Sequence, residues 1–303
     1  MKKLISTIVK SSVVALFLLF FLSNHNVMAQ SDSSIQELKV GVFKVQKLQD
    51  AEIYLNISLL SGIEKEEALK LSGGKDSIKT PVNAFLIQTG KQNILVDAGI
   101  GKNGGHLEEQ LKLAGVSPAD IDLVLLTHFH FDHIGGLLTA DGKRFFPNAV
   151  VRTSKTESDF WLKDIAQFPE DQRERARQIH KALEPYILAN AYSSFLFDEK
   201  LADGVYAIPA FGHTIGHTIY SFTSGKNMLW CIGDLIHFDA IQFEKPRAAV
   251  VFDTNGENAI QNRMIFFDRA AKDHIVIAGS HLPQMLQIEK AGESYIKLPA
   301  VSK

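Results

Sequence analysis

Four side chains able to bind a metal ion fall within one short segment, Thr127-His128-Phe129-His130-Phe131-Asp132-His133. In extended backbone, residues two apart point to the same side, so His128, His130 and Asp132 can project together. If the chain turns at Asp132, His133 reaches the same pocket from a new direction. Imidazole and carboxylate are zinc-type ligands, and three of them plus a water make a catalytic zinc site. An apolar run, Leu123 to Leu126, leads into the segment, and Gly135-Gly136 follows it and permits close backbone packing. The loop is therefore expected to be held in place.

Four ligands on one loop cannot all serve one ion well, so others must come from elsewhere in the chain. His213 stands in Phe211-Gly212-His213-Thr214, Asp234 follows Leu229-Trp230-Cys231-Ile232-Gly233, and His281 follows Ile275-Val276-Ile277-Ala278-Gly279-Ser280. Each comes after an apolar, strand-like run and a glycine-containing turn, where α/β-type folds place functional groups. Seven groups divide into two sites of three ligands with one carboxylate shared. His217 is expected to support its loop. For His237, substrate contact and packing both stand open. His106, His180 and His274 are isolated and expected at the surface. Strand alternation puts Cys231 on the face opposite Asp234, as a small core residue.

The elements that must position these residues are read from periodicity. Strands are expected over residues 38–45, 53–60, 82–88 and 93–96. Leu107, Leu111 and Ala114 then make one helical face, and Ser117-Pro118 opens a helical turn. A buried strand over 123–126 runs into the histidine segment. Amphipathic helices are expected over 158–162 and 170–183, the second closed by Pro185. The stretch 154–189 reads as an insertion lying over something. Strands follow at 205–209, 218–222 and 228–232, the last two joined by Ser224-Gly225-Lys226-Asn227 as a hairpin. A helix over 257–271 and a strand over 274–278 come last. Strands and helices in both halves suit two packed sheets with helices outside.

The first 29 of the 303 residues read differently. Lys2, Lys3 and Lys10 precede an apolar run over 13–22, and Val27-Met28-Ala29 offers small residues for cleavage, the pattern of a secretory signal peptide. The run is shorter than the roughly 20 residues that span a bilayer. The mature chain is expected to begin at Gln30, to form a single domain over 30–303, and to be periplasmic or secreted without a lasting membrane anchor. Losing three lysines takes the formal charge from −2 to about −5. That excludes nucleic acid as an expected partner, since phosphate binding rests on clustered Lys and Arg. Cys231 is the only cysteine, so no intramolecular disulfide is expected.

The pattern His128-x-His130-x-Asp132-His133, then His213, Asp234 and His281, resembles the metallo-β-lactamase superfamily over nearly the whole mature chain. The resemblance implies an α/β fold, an αββα sandwich of two packed mixed β-sheets with helices outside and metals at one sheet edge. It implies His128, His130 and His213 at a first metal, Asp132, His133 and His281 at a second, and Asp234 bridging them. Asp97, in Val96-Asp97-Ala98-Gly99, matches the family's early aspartate, which orients a ligand from behind. Phe211-Gly212-His213-Thr214-Ile215-Gly216-His217-Thr218, Gly233-Asp234-Leu235-Ile236-His237, Gln242-Phe243, Phe252-Asp253-Thr254 and Asp159-Phe160-Trp161-Leu162 are similar to methyl parathion hydrolases and their lactonase relatives. Leu282-Pro283-Gln284-Met285 departs from the Phe-Pro-Gly step of the former. His237 stands where acyl-homoserine lactonases carry a tyrosine that assists catalysis.

The expected function is that of an exported binuclear hydrolase. Two divalent ions, zinc first, with Mn, Fe and Co suited to the same ligands, would lie roughly 3.5–4 Å apart around a bridging hydroxide. Asp132, Asp234 and His237 are the expected catalytic side chains. The substrate is a small apolar lactone, aryl ester or phosphotriester if Phe129, Phe131, Trp161 and Phe195 line the pocket. A homodimer is allowed. Two alternatives stand beside this reading: hydrolysis of β-lactams, and a non-hydrolytic diiron redox module. Lactones and aryl esters are expected to exceed β-lactams, because no basic residue adjoins His213, Asp234 or His281 in the sequence.

Overall fold

Buried apolar residues alternate between two faces along the central strands, and this alternation builds the layers. Phe85, Ile87, Ile94, Val96, Leu123 and Leu125 meet Tyr220, Phe222, Leu229, Cys231, Val276 and Ala278 between two sheets. Their neighbours Leu86, Leu95 and Val124 face the other way, onto helical residues Leu107, Leu111, Ile179 and Leu183. On the far side, Trp230, Ile232 and Ile277 pack with Phe267 and Ala270 of a covering helix. Strands buried on both faces read as continuous apolar runs, as these do. The computed structural model describes residues 35–102 and 104–302, and the signal-peptide reading of residues 1–29 lies outside them.

Each large sheet has seven strands. The first runs Glu37–Val40, Phe43–Asn56, Ser77–Gln88, Asn93–Val96, Leu123–Leu125, Val150–Ser154, Tyr192–Phe195 in spatial order. The second runs Ser294–Pro299, Leu286–Ala291, Val276–Gly279, Asn227–Gly233, Thr218–Ser224, Val205–Pro209, Lys200–Ala202. Both are mixed. In the first, Asn93–Val96 and the three strands after it are parallel. In the second, Asn227–Gly233 is parallel to Val276–Gly279. With helices Leu107–Leu113, Lys155–Trp161 and Glu170–Leu188 over the first sheet and Gly256–Lys272 over the second, the architecture is the expected αββα sandwich. Parallel strands end at a common edge, so Asp97, Thr127, Asp234 and His281 all emerge where loops gather over strand C-termini.

Several element boundaries differ from those read in the sequence. Residues 38–45 are two strands, because Gly41 takes a left-handed φ of 61° and turns the chain. The run over 53–60 leaves the sheet at Asn56, whose side chain accepts from Ser58 N at 2.9 Å and starts a short 3-10 turn. The helix Glu170–Leu188 passes through Pro185 instead of ending before it. Proline forfeits one backbone bond, and the helix keeps going because Leu183 and Tyr186 are fully buried. The Tyr186 hydroxyl donates to Leu137 O and accepts from Phe146 N. The stretch 154–189 does lie over the first sheet, and its longer helix walls the cleft described next.

Candidate metal centre

The histidine segment is pinned from behind before it meets anything in front. Asp97, at the end of Asn93–Val96, adopts a left-handed φ of 61° that swings its carboxylate across to the neighbouring strand. Its Oδ1 accepts from Thr127 N at 2.8 Å, and its Oδ2 lies 2.8 Å from His133 Nδ1 and 2.9 Å from Thr127 Oγ1. A short helix, Phe131–Ile134, supplies the expected turn, so His133 comes back beside His128 with ring centroids 4.0 Å apart. Gly136 is required here, since a Cβ would collide with Ala98 O.

The later candidates are held as firmly. His213 Nδ1 lies 2.9 Å from Asp253 Oδ1, and His281 Nδ1 lies 2.9 Å from Pro81 O. Asn83 fastens the His281 loop by donating from Nδ2 to Leu282 O at 2.8 Å, while its backbone N donates to Ser280 O. His217 accepts from Asp234 N through Nε2 and bonds Ala210 O through Nδ1, so both of its nitrogens are spent on the loop. After Asp234, Gln242 Oε1 accepts from His237 N and Phe238 N. Buried Arg263 donates to Leu235 O, Pro246 O and Ala248 O.

Seven side chains converge in consequence. His128, His130, His213 and Asp234 form one group, and Asp132, His133, Asp234 and His281 form another, each with ligand atoms within 4.8 Å of one another. Asp234 belongs to both: its Oδ2 lies 3.2 Å from His213 Nε2 and 3.3 Å from His281 Nε2, and its Oδ1 lies 3.1 Å from His133 Nε2. Asp132 Oδ2 is 3.4 Å from His281 Nε2. In His128, His133, His213 and His281 one ring nitrogen meets a partner behind, which leaves the other for the centre, the usual arrangement of histidine ligands.

The residues fit metal ions. Buried polar atoms nearly always find hydrogen-bond partners, yet His128 Nε2, His133 Nε2 and Asp234 Oδ1 have none and face one another. His133 Nε2 and Asp234 Oδ1 are close but out of hydrogen-bonding geometry. Nitrogen and carboxylate donors in groups of four are zinc-type sets.

Electrostatics separates the imidazoles. Burial holds His128 and His130 well below the ordinary histidine range, and neighbouring imidazoles push the same way. Burial opposes charge on His281 too, but Asp234 and Asp132 outweigh it and raise its pKa to about 10. His133 is likewise raised, against burial, by Asp234, Asp97 and Asp132. Asp234 resists burial in the opposite sense: the surrounding histidines, His133 first, hold it well below the carboxylate range. These carboxylates thus act on protons in the metal-free chain as they would on cations.

The centre opens into a cleft of about 940 Å³, floored by His130, Asp132, Asp234, His237 and His281. Its walls include Ile53, Leu55, Ile100, Ile134, Ile179 and Phe252. Of the four aromatics read as lining, Phe129 and half-exposed Phe131 do line it. Trp161 does not; it stacks on Phe168 beneath the helical layer. Phe195 is also elsewhere, packed on Tyr220 between the sheets. His237 sits on the floor, its Nε2 3.1 Å from Asp234 Oδ2 and its Nδ1 without a partner; burial lowers its pKa to about 4. His106 and His274 are exposed, whereas His180 is half-buried against Trp161 O. Cys231 lies in the inter-sheet core, outside both ligand groups. The sequence reading missed Glu157, Arg263 and the role of Asp253. For Glu157, the signal was an acidic residue in the second half of a Ser-x-x-Glu helix start.

Comparison with known proteins agrees with this fold. Residues 78–265 match the Metallo-beta-lactamase superfamily model. The uncharacterized protein YobT of Bacillus subtilis is 29% identical over 202 residues, 63% of this chain and 79% of that protein. The lactamase-like protein aptB of Emericella nidulans is 37% identical over 83 residues, and this match spans only 26% of its length. Among solved structures, the hydrolase AbOPH of the beta lactamase superfamily superposes with a TM-score of 0.82 at 28% identity, covering 89% of this chain and 98% of that one. AidC, a dizinc quorum-quenching lactonase, superposes at 0.81 with 27% identity and the same coverage. The family match spans six of the seven clustered side chains, and the fold itself delivers the seventh, His281, to Asp234. The chain belongs to the metallo-beta-lactamase superfamily and is a metal-dependent hydrolase.

Proposed function

We propose that this chain is an exported hydrolase that uses two divalent ions, zinc foremost, to cleave lactones, aryl esters or phosphotriesters with an apolar body. The observation that carries this reading is the sharing of Asp234 between two ligand groups at the floor of a cleft with largely aliphatic walls. The resemblance to AidC, named as a dizinc lactonase, supports the same substrate class. Export rests on the sequence of residues 1–29. Among the described residues, no helix is long and apolar enough to cross a membrane.

When bound, such ions supply an activated water and polarise the substrate's carbonyl or phosphoryl oxygen. The chain's own residues do the rest. Asp234 keeps the two ligand groups in one frame. Asp132, partly open to the cleft at 22% side-chain exposure, orients the attacking water. His237 is neutral and holds Asp234 through Nε2, and its ring forms part of the floor that the substrate meets. The aliphatic walls take up the apolar body and exclude water around the reacting centre. Lys102, Arg175 and Lys181 line the cleft as solvent-exposed side chains, whose charge is screened by water, and none of them is among the side chains that cluster around Asp234.

The test compares kcat/KM for a five- or six-membered lactone, an aryl ester and a cephalosporin on one zinc-loaded preparation. Lactone or aryl ester should be preferred. A cephalosporin preferred by about tenfold or more, about 1.4 kcal/mol of transition-state binding, would overturn the substrate class.

A further inference from the structure

Ser154-Lys155-Thr156-Glu157 has the form of a capping box, in which a glutamate three residues after a serine cap turns back to the cap's own N–H. Ser154 plays its part, its Oγ accepting from Glu157 N at 3.2 Å. The glutamate does not. Its side chain, fully buried, leaves the helix and enters the space behind the metal centre. There Oε1 accepts from Phe129 N at 3.1 Å, between His128 and His130. Oε2 accepts from Thr214 Oγ1 and Gly216 N, both at 2.8 Å, in the turn that follows His213. The fit is close: a Cβ on Gly216 would stand 2.6 Å from Glu157 Cβ.

Among the described residues, Glu157 has no ion-pair partner. A buried carboxylate without a cation is costly, and satisfied hydrogen bonds only partly offset the cost. Local helix capping does not require it, since Ser154 caps the helix alone. What the three donors share is their position beside ligands of one group, His128, His130 and His213. Glu157 makes no hydrogen bond to Asp132, to His133 or to the loop that carries His281; in the segment that Asp132 and His133 share with Phe129, its contact falls between His128 and His130.

We propose that Glu157 is a positioning residue that ties the His128–His130 segment to the His213 turn, so that these three imidazoles converge on one ion. The proposal rests on the two-metal reading above. It predicts an asymmetry, because only one of the two groups is tied in this way.

Glu157→Gln keeps the volume but turns one acceptor oxygen into a donor. Whichever way the amide rotates, it faces either Phe129 N–H or Gly216 N–H with a second N–H, and one loop loses its partner. Thr214→Val removes only the hydroxyl and serves as the milder variant should the first not fold. The probe is Co²⁺, added to the metal-free full chain and followed by its visible absorption and by transfer to a chelator. Unchanged protein should take up two ions. In Glu157→Gln one of the two should be weakened by about tenfold or more with an altered spectrum, while the other stays as it was. Thr214→Val should shift the same ion in the same direction by a smaller factor. If both variants take up two ions with unchanged affinities and spectra, Glu157 has no positioning role. Equal weakening of both ions, tracking a loss of thermal stability in the metal-free chain, would also overturn the proposal in favour of general packing. If the unchanged chain binds no Co²⁺, the two-metal reading itself fails, which is a different result.

Discussion

Asp253 Oδ1 lies 2.9 Å from His213 Nδ1, and that contact leaves His213 Nε2 as the nitrogen turned toward His130 and Asp234. A carboxylate behind a ligand histidine fixes its tautomer and raises its basicity. Burial works against charge on Asp253, but His213 outweighs it and holds the carboxyl below its ordinary range. Replacing Asp253 by Ala should weaken metal binding at the His128, His130, His213 group by about 10- to 100-fold. Asp253→Asn should cost less, because an amide oxygen still accepts from Nδ1. Equilibrium metal titration of the two variants checks both the direction and the order.

Asp234 and Cys231 stand three residues apart with opposite consequences. Asp234→Ala should lower the affinity of both ions, because its carboxylate serves both ligand groups. Cys231→Ser buries a hydroxyl in the inter-sheet core. It should therefore cost about 1–3 kcal/mol of stability and leave metal content unchanged. Metal analysis beside thermal unfolding separates the two. A cysteine variant that loses metal while the aspartate variant keeps it would reverse the ligand assignment.

How much of this was legible beforehand follows from sequence distance. The seven clustered residues announced themselves because four of them share one segment at the end of an apolar run, and the other three each follow an apolar run and a glycine-containing turn. Their supports did not. Glu157 meets partners 28, 57 and 59 positions away, and within its own helix it reads as an ordinary capping glutamate. Arg263 lies in an amphipathic helix where a lone arginine reads as solvent-facing, yet it is buried on three carbonyls. The two sheets were readable from their central strands, which are apolar on both faces. The outer strands Leu286–Ala291 and Ser294–Pro299 were not, since most of their positions are exposed or half-buried and their alternation is weak. Trp161 and Phe195 were ambiguous for the opposite reason: burial in a core and lining of a pocket ask for the same residue type.

Metal uptake should release protons. Ligand nitrogens must be unprotonated to bind, and in the metal-free chain His281 holds its proton up to about pH 10. At pH 8 that proton must leave, so affinity rises with pH and the release fades above about pH 10. The same raised pKa adds stability to the metal-free chain. That contribution is complete below the ordinary value of 6.5 and lost as pH rises through about 10. Calorimetric titration in buffers of different ionisation enthalpy measures the protons directly. A buffer-independent heat at pH 8 would show that His281 is already unprotonated.

Phe131 projects into the cleft while 48% exposed, so it can be shortened at small cost to the fold. Phe131→Ala should reduce kcat/KM for a long-chain apolar ester by roughly 3- to 10-fold, the scale expected for part of an aromatic side chain's burial. A short-chain ester should change little. Equal losses on both substrates would mean that Phe131 supports the neighbouring ligands Asp132 and His130 rather than the substrate.

The sharing of Asp234 between two ligand groups is open to one direct measurement, the number of divalent ions held by the intact folded chain in native mass spectrometry. Two ions per chain are expected, with hydrolysis of a lactone or aryl ester lost on chelation and restored when zinc is returned. A chain that holds no ion, or that hydrolyses these substrates undiminished after the metal is stripped, would contradict a two-metal hydrolase.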